Sequence, residues 1–525
     1  MVGASAFVAT VSGADDGARH EAAGTKNVAR GGLANLVGAG YSGVASFVTT
    51  VIVARIATPQ DAGFYFSAVA LVLIAAALVE LGVPVGYVYF LARYRGLERT
   101  DGLRGILTAG AAPMLSLGVI VAAVGVVFRE PLGTLLLGDE ADSRAMIMTI
   151  VAGSVLLAIV ADSALSATRG FGVMRPTVVA DKFVNPTIQL AALLLLSVVG
   201  WTGGEELVWT RALGFAAVAV IGTVWLTRLL RRYPRPLGES LRDAWTPEGA
   251  TTRAFWKYAG PRAVGQIAQV GVQRVDIVLV ALWLSPSEAA VYAAATRFLI
   301  FGQLAANAIG TAVQPRFSNL TARGEMSALQ DLYRTSTAWV MFATWPFYLT
   351  FIVHADLLMD VFGEVYASGA SVLRILSAAM LVATACGAVD AVLLMAGRST
   401  WTMINAWVAL VVNLGLNIWL IPRLGILGAT IAWVAAILVN NVVPLIQVLR
   451  GLHVHPFDRI TMLAALAPVL LFGVGPCIVA QLGGGLVGGI ASLTVAAAIY
   501  CPLLWRWRRP LGLVGLFRRN GRGKS

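Results

Sequence analysis

Apolar runs long enough to cross a bilayer fill most of this chain. A membrane helix needs roughly 20 mostly apolar residues, and by that length there are about fourteen candidate spans. They are Gly32–Ala57, Ala62–Ala92, Leu103–Phe128, Ala145–Ala167, Thr177–Gly200, Leu207–Leu226, Phe255–Leu284, Ala289–Pro315, Thr335–Val353, Ala370–Ala396, Trp401–Ile421, Ile426–Leu449, Ile460–Gln481 and Leu486–Trp505. Of the 525 residues, 58% are hydrophobic and 13% are charged. A soluble domain carries about 25% charged residues, so this composition cannot cover a globule with a wet surface. Backbone polar groups in hydrocarbon must be satisfied within their own segment. An all-α polytopic membrane protein of about fourteen transmembrane helices is therefore expected.

The formal charge of +12 does not point to nucleic acid, because the basic residues lie in short segments between apolar runs. With a cytoplasmic N-terminus, thirty of the 39 Lys and Arg residues fall on inside segments. Only Arg55, Arg129, Arg144, Arg211 and Arg423 fall outside, and Lys182, Arg274, Arg297 and Arg374 lie within spans. Such a bias is the positive-inside pattern. It predicts a multi-pass membrane protein with both termini in the cytoplasm. The outside loops are acidic (Glu130, Asp139, Glu140, Asp142; Glu205, Glu206; Asp356, Asp360, Glu364) and too short for a folded domain. Met1–Ser12 lacks a positive n-region and reads as the start of a tail, not a signal peptide. Cys386, Cys477 and Cys501 have neither metal spacing nor a disulfide framework.

Pro59-Gln60-Asp61-Ala62-Gly63-Phe64-Tyr65 recurs in degenerate form, 227 residues later, as Pro286-Ser287-Glu288-Ala289-Ala290-Val291-Tyr292. Each copy lies between two apolar stretches, so a block of helices is duplicated. Many secondary transporters are two related bundles around a shared central site. The expected organisation is a tail (1–31), a six-helix bundle (32–231), a basic linker (232–254), a second six-helix bundle (255–450), and two further helices with a basic tail (451–525). An even number of spans per half relates the bundles by a pseudo-two-fold axis along the membrane normal. Gly82-Val83-Pro84-Val85-Gly86 predicts a break in the second span, and Trp345-Pro346 a kink in the ninth.

Ionisable groups inside spans cost on the order of 2.5–3.5 kcal/mol each. They are Glu80, Asp162, Asp181, Lys182, Arg274, Asp276, Arg297, Arg374 and Asp390. Arg262, Gln266, Gln269, Gln273 and Asp276 follow helical spacing along one face of the seventh span. Thr296, Gln303, Asn307, Thr311 and Gln314 do nearly the same in the eighth. The functional reading is a wet, cationic cavity between the halves, with Arg274 and Arg297 as phosphate partners, since arginine donates two parallel hydrogen bonds to phosphate. The competing reading is interhelical glue, including an Arg297–Asp276 pair. Glu80, Asp276, Asp162 and Asp390 are the candidate ion-coupling groups. Asp162 and Asp390 lie 228 residues apart at equivalent places, and local pairing near the inner interface competes with a proton or cation role.

Other motifs fail on context. Gly523-Lys524-Ser525 lacks the first glycine and the flanking strand and helix of a P-loop. His453 and His455 have no third metal ligand in their loop. Asn319-Leu320-Thr321 lies on the inside by the charge argument, where an acceptor triplet is not glycosylated. No nucleotide, cofactor, metal or catalytic motif is visible, so a transporter is expected over an enzyme.

Arg55-Ile56-Ala57-Thr58-Pro59-Gln60-Asp61-Ala62-Gly63-Phe64-Tyr65 resembles the end of the first helix in bacterial polysaccharide (oligosaccharyl-lipid) flippases. Glu80-Leu81-Gly82-Val83-Pro84 is similar to the glycine break of their second helix. The stretch from Asn413 through Asn417, Leu420-Ile421-Pro422, Gly425 and Gly428-Ala429 resembles their N-x-x-x-N-x-x-L-I-P-x-x-G-x-x-G-A pattern. The resemblance covers roughly residues 28–450 and extends to the multidrug/oligosaccharidyl-lipid/polysaccharide exporter superfamily. It implies two six-helix bundles in a V and an undecaprenyl-diphosphate-linked oligosaccharide as cargo, turned from the inner to the outer leaflet. It also implies a cationic cavity, carried here by Arg274 and Arg297, and it adds Arg55 to the candidate substrate contacts. A monomer is expected, alongside polysaccharide polymerase or glycosyltransferase partners. A cation-coupled multidrug antiporter and, more remotely, a membrane glycosyltransferase or ligase are the rival readings.

Overall fold

The computed structural model describes residues 35–98, 102–137, 144–233, 240–482 and 485–507. The predicted N-terminal tail, Arg99, the loop acids Asp139, Glu140 and Asp142, Arg235 in the linker and the basic tail with Gly523-Lys524-Ser525 lie outside the described residues.

Every regular element among the described residues is helical. The first half holds α1 (Asn35–Ile56), α2 (Pro59–Glu80), α3 (Val83–Gly96), α4 (Leu103–Val127), the short α5 (Arg129–Leu137) and α6 (Arg144–Gly170). A π-helical segment (Thr177–Val184) then leads into α7 (Asn185–Val199), followed by α8 (Gly204–Leu230) and the short α9 (Leu241–Trp245). The second half repeats the order with α10 (Gly249–Trp283), α11 (Pro286–Arg297), α12 (Leu299–Arg323), α13 (Met326–Val353), the short α14 (Ala355–Met359), α15 (Gly369–Ala385), α16 (Val389–Met395), α17 (Ser399–Leu424) and α18 (Ile426–Leu452). Then come α19 (Arg459–Pro468), a π segment (Val469–Val474), α20 (Gly475–Gln481) and α21 (Gly485–Trp507). Thirteen helices are long and apolar enough to cross a membrane, and the bent pair α11–α12 makes fourteen.

The breaks refine the expected spans. The second span divides between α2 and α3, where Leu81 and Gly82 are both left-handed (φ 51° and 76°). Pro84 opens α3 in its first turn, a place where proline's missing N–H costs nothing. The predicted kink at Pro346 does not interrupt α13, which runs through it as one helix. The eighth span instead breaks at Phe298, between α11 and α12, with a bend of 42°. Each π segment ends two residues before a proline, Pro186 or Pro476. Proline cannot donate to, and clashes with, the carbonyl four residues back, and one widened turn absorbs that misfit.

The repeat is visible in its caps. Thr58 Oγ1 accepts from Asp61 N and Ser285 Oγ from Glu288 N, each at 3.1 Å, just before the duplicated prolines. Asp61 also accepts from Gly204 N (2.9 Å), which fastens α8 to α2. The two copies meet: a Cβ on Gly63 would lie 1.8 Å from Pro286 O, so α2 and α11 touch backbone to backbone.

Two seams join the halves. At the acidic end, which carries Asp61 and Asp356, Phe47 of α1 packs on Phe298, Phe301 and Phe362. Arg55 donates there to Asp360 O (2.7 Å) and Val361 O (2.8 Å), just past α14. At the basic end, which carries Arg93 and Arg169, Tyr89 of α3 stacks on Tyr258 of α10 at 4.1 Å. Phe90 packs on Phe255, and Tyr94 bonds Thr251. Gly63→Ala is expected to destabilise the protein by about 1–3 kcal/mol through overpacking, read as a lower thermal midpoint in detergent. An unchanged midpoint would mean that α2 and α11 do not pack at this distance.

Candidate functional site

Between the two seams the helices bring three arginines together. Arg297 is the last residue of α11, so the bend at Phe298 aims it across to α2, where its guanidinium carbon lies 5.8 Å from the Phe66 ring. Arg274 comes from α10 and Arg211 from α8, in the other half. The three are close enough to repel one another electrostatically. None forms an ion pair among the described residues, and the buried Nε atoms of Arg211 and Arg297 have no hydrogen-bond partner. Arg211 is held by neutral groups: it donates to Gln189 Oε1 (3.2 Å) and Asn185 Oδ1 (3.4 Å) and lies 4.3 Å from the Phe215 ring. Gln189 in turn donates to the Tyr65 hydroxyl. A cavity of about 60 Å³ opens beside the cluster, lined by Arg274, Arg297, Gln273, Thr296, Gln303 and Trp433.

Asp276 occupies the wall of that cavity, 2% exposed. The expected Arg297–Asp276 pair is not formed among the described residues. Asp276 accepts instead from Asn417 Nδ2 (2.7 Å) and the Tyr292 hydroxyl (3.0 Å). Asn417 Oδ1 and both side-chain polar atoms of Asn413 are buried with no hydrogen-bond partner. One carboxylate and two unpartnered amide oxygens are thus buried on neighbouring residues, oxygen donors of the type a hard cation accepts. Among the described residues no group of three His, Cys, Asp or Glu could hold a metal ion.

The other expected residues scatter. Gln266 and Gln269 continue the α10 face toward the basic end, and Asn307 is exposed one turn beyond Gln303; none of the three lines the cavity. Arg55 is at the acidic-end seam with two donors on backbone carbonyls, away from the cavity. Arg374 pairs with Asp356 at that same end. Asp162 pairs with Arg169 (3.3 Å). Asp390 is exposed in the first turn of α16, just after a break at Gly387 (φ 65°).

Sequence reasoning missed Arg211, which it assigned to an outside segment although the helix runs from Gly204 through it. It also passed over Tyr65, Asn185, Gln189 and Tyr292. The four-residue spacing of Asn185 and Gln189 puts both on one helical face, and that was the available signal. Asn413 and Asn417 were noted only as motif letters; their partner, Asp276, is 141 residues from Asn417.

The chain matches the polysaccharide biosynthesis protein family over residues 28–321. The MatE family matches residues 261–419. A curated relative, the "probable low-salt glycan biosynthesis flippase Agl15" of Haloferax volcanii, is 22% identical over 418 residues, 78% of this chain and 80% of that protein. Among solved structures, the lipid II flippase MurJ in an inward closed conformation aligns with a TM-score of 0.68 at 12% identity, covering 90% of this chain and 98% of that one. An inward-facing multidrug resistance MATE family transporter of the MOP superfamily aligns with a TM-score of 0.62 at 15% identity, covering 82% and 94%. These likenesses carry the all-α transporter fold. Replacing Asn417 by leucine strips Asp276 of a buried donor and is expected to cost about 1–3 kcal/mol, measured by thermal unfolding. A neutral result would mean that Asp276 is solvated by other groups.

Proposed function

Since the chain belongs to the polysaccharide biosynthesis protein family, we propose that it is a flippase for a lipid-linked oligosaccharide. The cargo is an undecaprenyl-diphosphate anchor bearing a short glycan. The protein turns it from the inner to the outer leaflet of a bacterial cell membrane by alternating access, with both termini cytoplasmic. The observation that carries this reading is the set of three arginines at the seam with no carboxylate paired to them among the described residues. A diphosphate supplies the missing negative charge, and guanidinium groups donate to phosphate in parallel pairs. The amides of Gln273 and Gln303 supply donors and acceptors for sugar hydroxyls.

A sugar diphosphate cannot cross hydrocarbon unaided, because each unsatisfied polar group costs several kcal/mol there. A polar crevice open sideways to lipid carries the head while the prenyl chain stays apolar. A second cavity of about 390 Å³, lined by Ala308, Ile309, Ala312, Leu332, Trp339 and Leu504 between α12, α13 and α21, offers such a chain an apolar bed. In this reading residues 32–231 and 255–450 rock as two bundles about the arginine cluster, the linker 232–254 joins them, and the helices of 451–525 flank the tail path. Moving about two negative charges outward gains roughly 5 kcal/mol at about 100 mV, negative inside. Net transport then needs no nucleotide.

A cation-coupled small-molecule antiporter is the second reading. The buried cluster of Asp276, Asn413 and Asn417 favours it, as does the MatE match over the same stretch. The two readings separate in proteoliposomes loaded with a fluorescent lipid-diphosphate sugar. Arg297→Ala and Arg274→Ala each remove a charge-assisted hydrogen bond of about 1.5–3 kcal/mol, so each is expected to slow translocation about 10- to 100-fold at normal expression. Unchanged rates in both would discard the phosphate-binding role. Inside-negative potential is expected to speed net outward transfer; indifference to it would point to exchange of a neutral or cationic solute.

A further inference from the structure

Glu80 is the buried acid that the cargo site leaves unused. It is the last residue of α2, 8% exposed, and makes no hydrogen bond or ion pair among the described residues. Its depth is fixed by packing. The end of α6 meets α3 where a Cβ on Gly170 would lie 2.7 Å from Tyr87 O. Both α2 and α3 pack along α6, and Glu80 and Asp162 lie close enough there to act on each other electrostatically. The charges facing this place are Asp162 and Arg169 from α6, with Asp181 and Lys182 from the π segment. Asp162 is paired with Arg169 and also accepts from Ser166, and Asp181 is paired with Lys182 at 2.7 Å. Three carboxylates thus share two cations, and Glu80 is the one left over. The α10 atoms nearest a Cβ at Gly82, next but one to Glu80, are backbone: the Ala259 carbonyl and the Ala263 amide.

The neighbouring backbone gives that imbalance a mechanical consequence. Leu81 and Gly82 are both left-handed, and a Cβ on Gly82 would lie 2.4 Å from Ala259 O. The break therefore holds α3 against α10, where Tyr89, Phe90 and Tyr94 close the basic-end seam.

We propose that Glu80, facing Asp162 at the α2–α3 hinge, binds one proton while the basic end is closed and releases it to that side when the hinge opens. A proton is favoured over a metal cation because Asp162, the facing carboxylate, already has its oxygen Oδ1 engaged by Arg169 and Ser166. Balance is simple: the O–H bond of Glu80 breaks on opening, and the proton passes to water at the basic end. This rests on the alternating-access reading above, but its test needs no cargo.

Thr251→Cys places a thiol under Tyr94 in the closed seam, with Cys386, Cys477 and Cys501 replaced by serine. Its labelling rate by a water-soluble maleimide reports opening. Rates are divided at each pH by those of the same protein carrying Glu80→Gln, which cancels the thiol's own titration. The ratio is expected to rise with pH, by up to about tenfold per pH unit if one proton is released. Glu80→Asp is expected to keep a rising ratio, and Asp162→Asn to shift its midpoint. A ratio flat with pH, or one that follows sodium concentration instead of pH, would overturn the proposal. If the arginine variants leave cargo translocation unchanged while this ratio still rises, the cargo reading fails and the hinge proton stands.

Discussion

Guanidinium groups that find no carboxylate inside a membrane protein are held against a strong preference for water. Arg211, Arg274 and Arg297 are in that position, and they also repel one another. An isolated helix would not tolerate this, since a central arginine costs on the order of 2.5–3.5 kcal/mol to insert. Three features make it possible here. Neutral amides from Asn185 and Gln189 solvate Arg211, aromatic faces at Phe66 and Phe215 lie against two of the cations, and a small polar cavity adjoins them. In the proposed function, the cargo's diphosphate is the anion that completes the neutralisation.

The surrounding fold keeps that cluster between two closures. At the acidic end α2 and α11 touch through Gly63 and Pro286, and Arg55 reaches the carbonyls beyond α14. At the basic end α3 lies on α10 through stacked aromatics. Both contacts are small and local, and each lies beside a backbone irregularity. The α2–α3 break serves one seam, and the α11–α12 bend positions Arg297 for the other half. In the proposed alternating-access cycle, one closure is exchanged for the other without dismantling either core.

Much of this was legible before any coordinates. The helix number followed from run length, and the duplication from one heptad that opens two helices, each capped by the residue before it, Thr58 or Ser285. Gly82 announced its break because no other residue type suits consecutive left-handed backbone so readily. The bend at Phe298 was hidden, because Arg297-Phe298-Leu299 contains neither glycine nor proline. Its cause is tertiary: Phe298 is gripped by Phe47, Phe351 and Phe362. For the site, Arg274 and Arg297 were visible as charges inside apolar runs, whereas Arg211, near the start of the Leu207–Leu226 run, was counted with the outside segment. The Asp276–Asn417 bond joins residues 141 apart, and no local pattern encodes such a distance.

In the proposed function the arginine cluster binds a diphosphate. Calorimetric titration of the purified protein with a short prenyl diphosphate, and in parallel with the prenyl alcohol of the same chain length, addresses it directly. Two charge-assisted contacts should make the diphosphate bind at least about a hundredfold more tightly than the alcohol, with a preference that shrinks as salt rises. Equal affinities for the two ligands, or a preference indifferent to salt, would contradict the account.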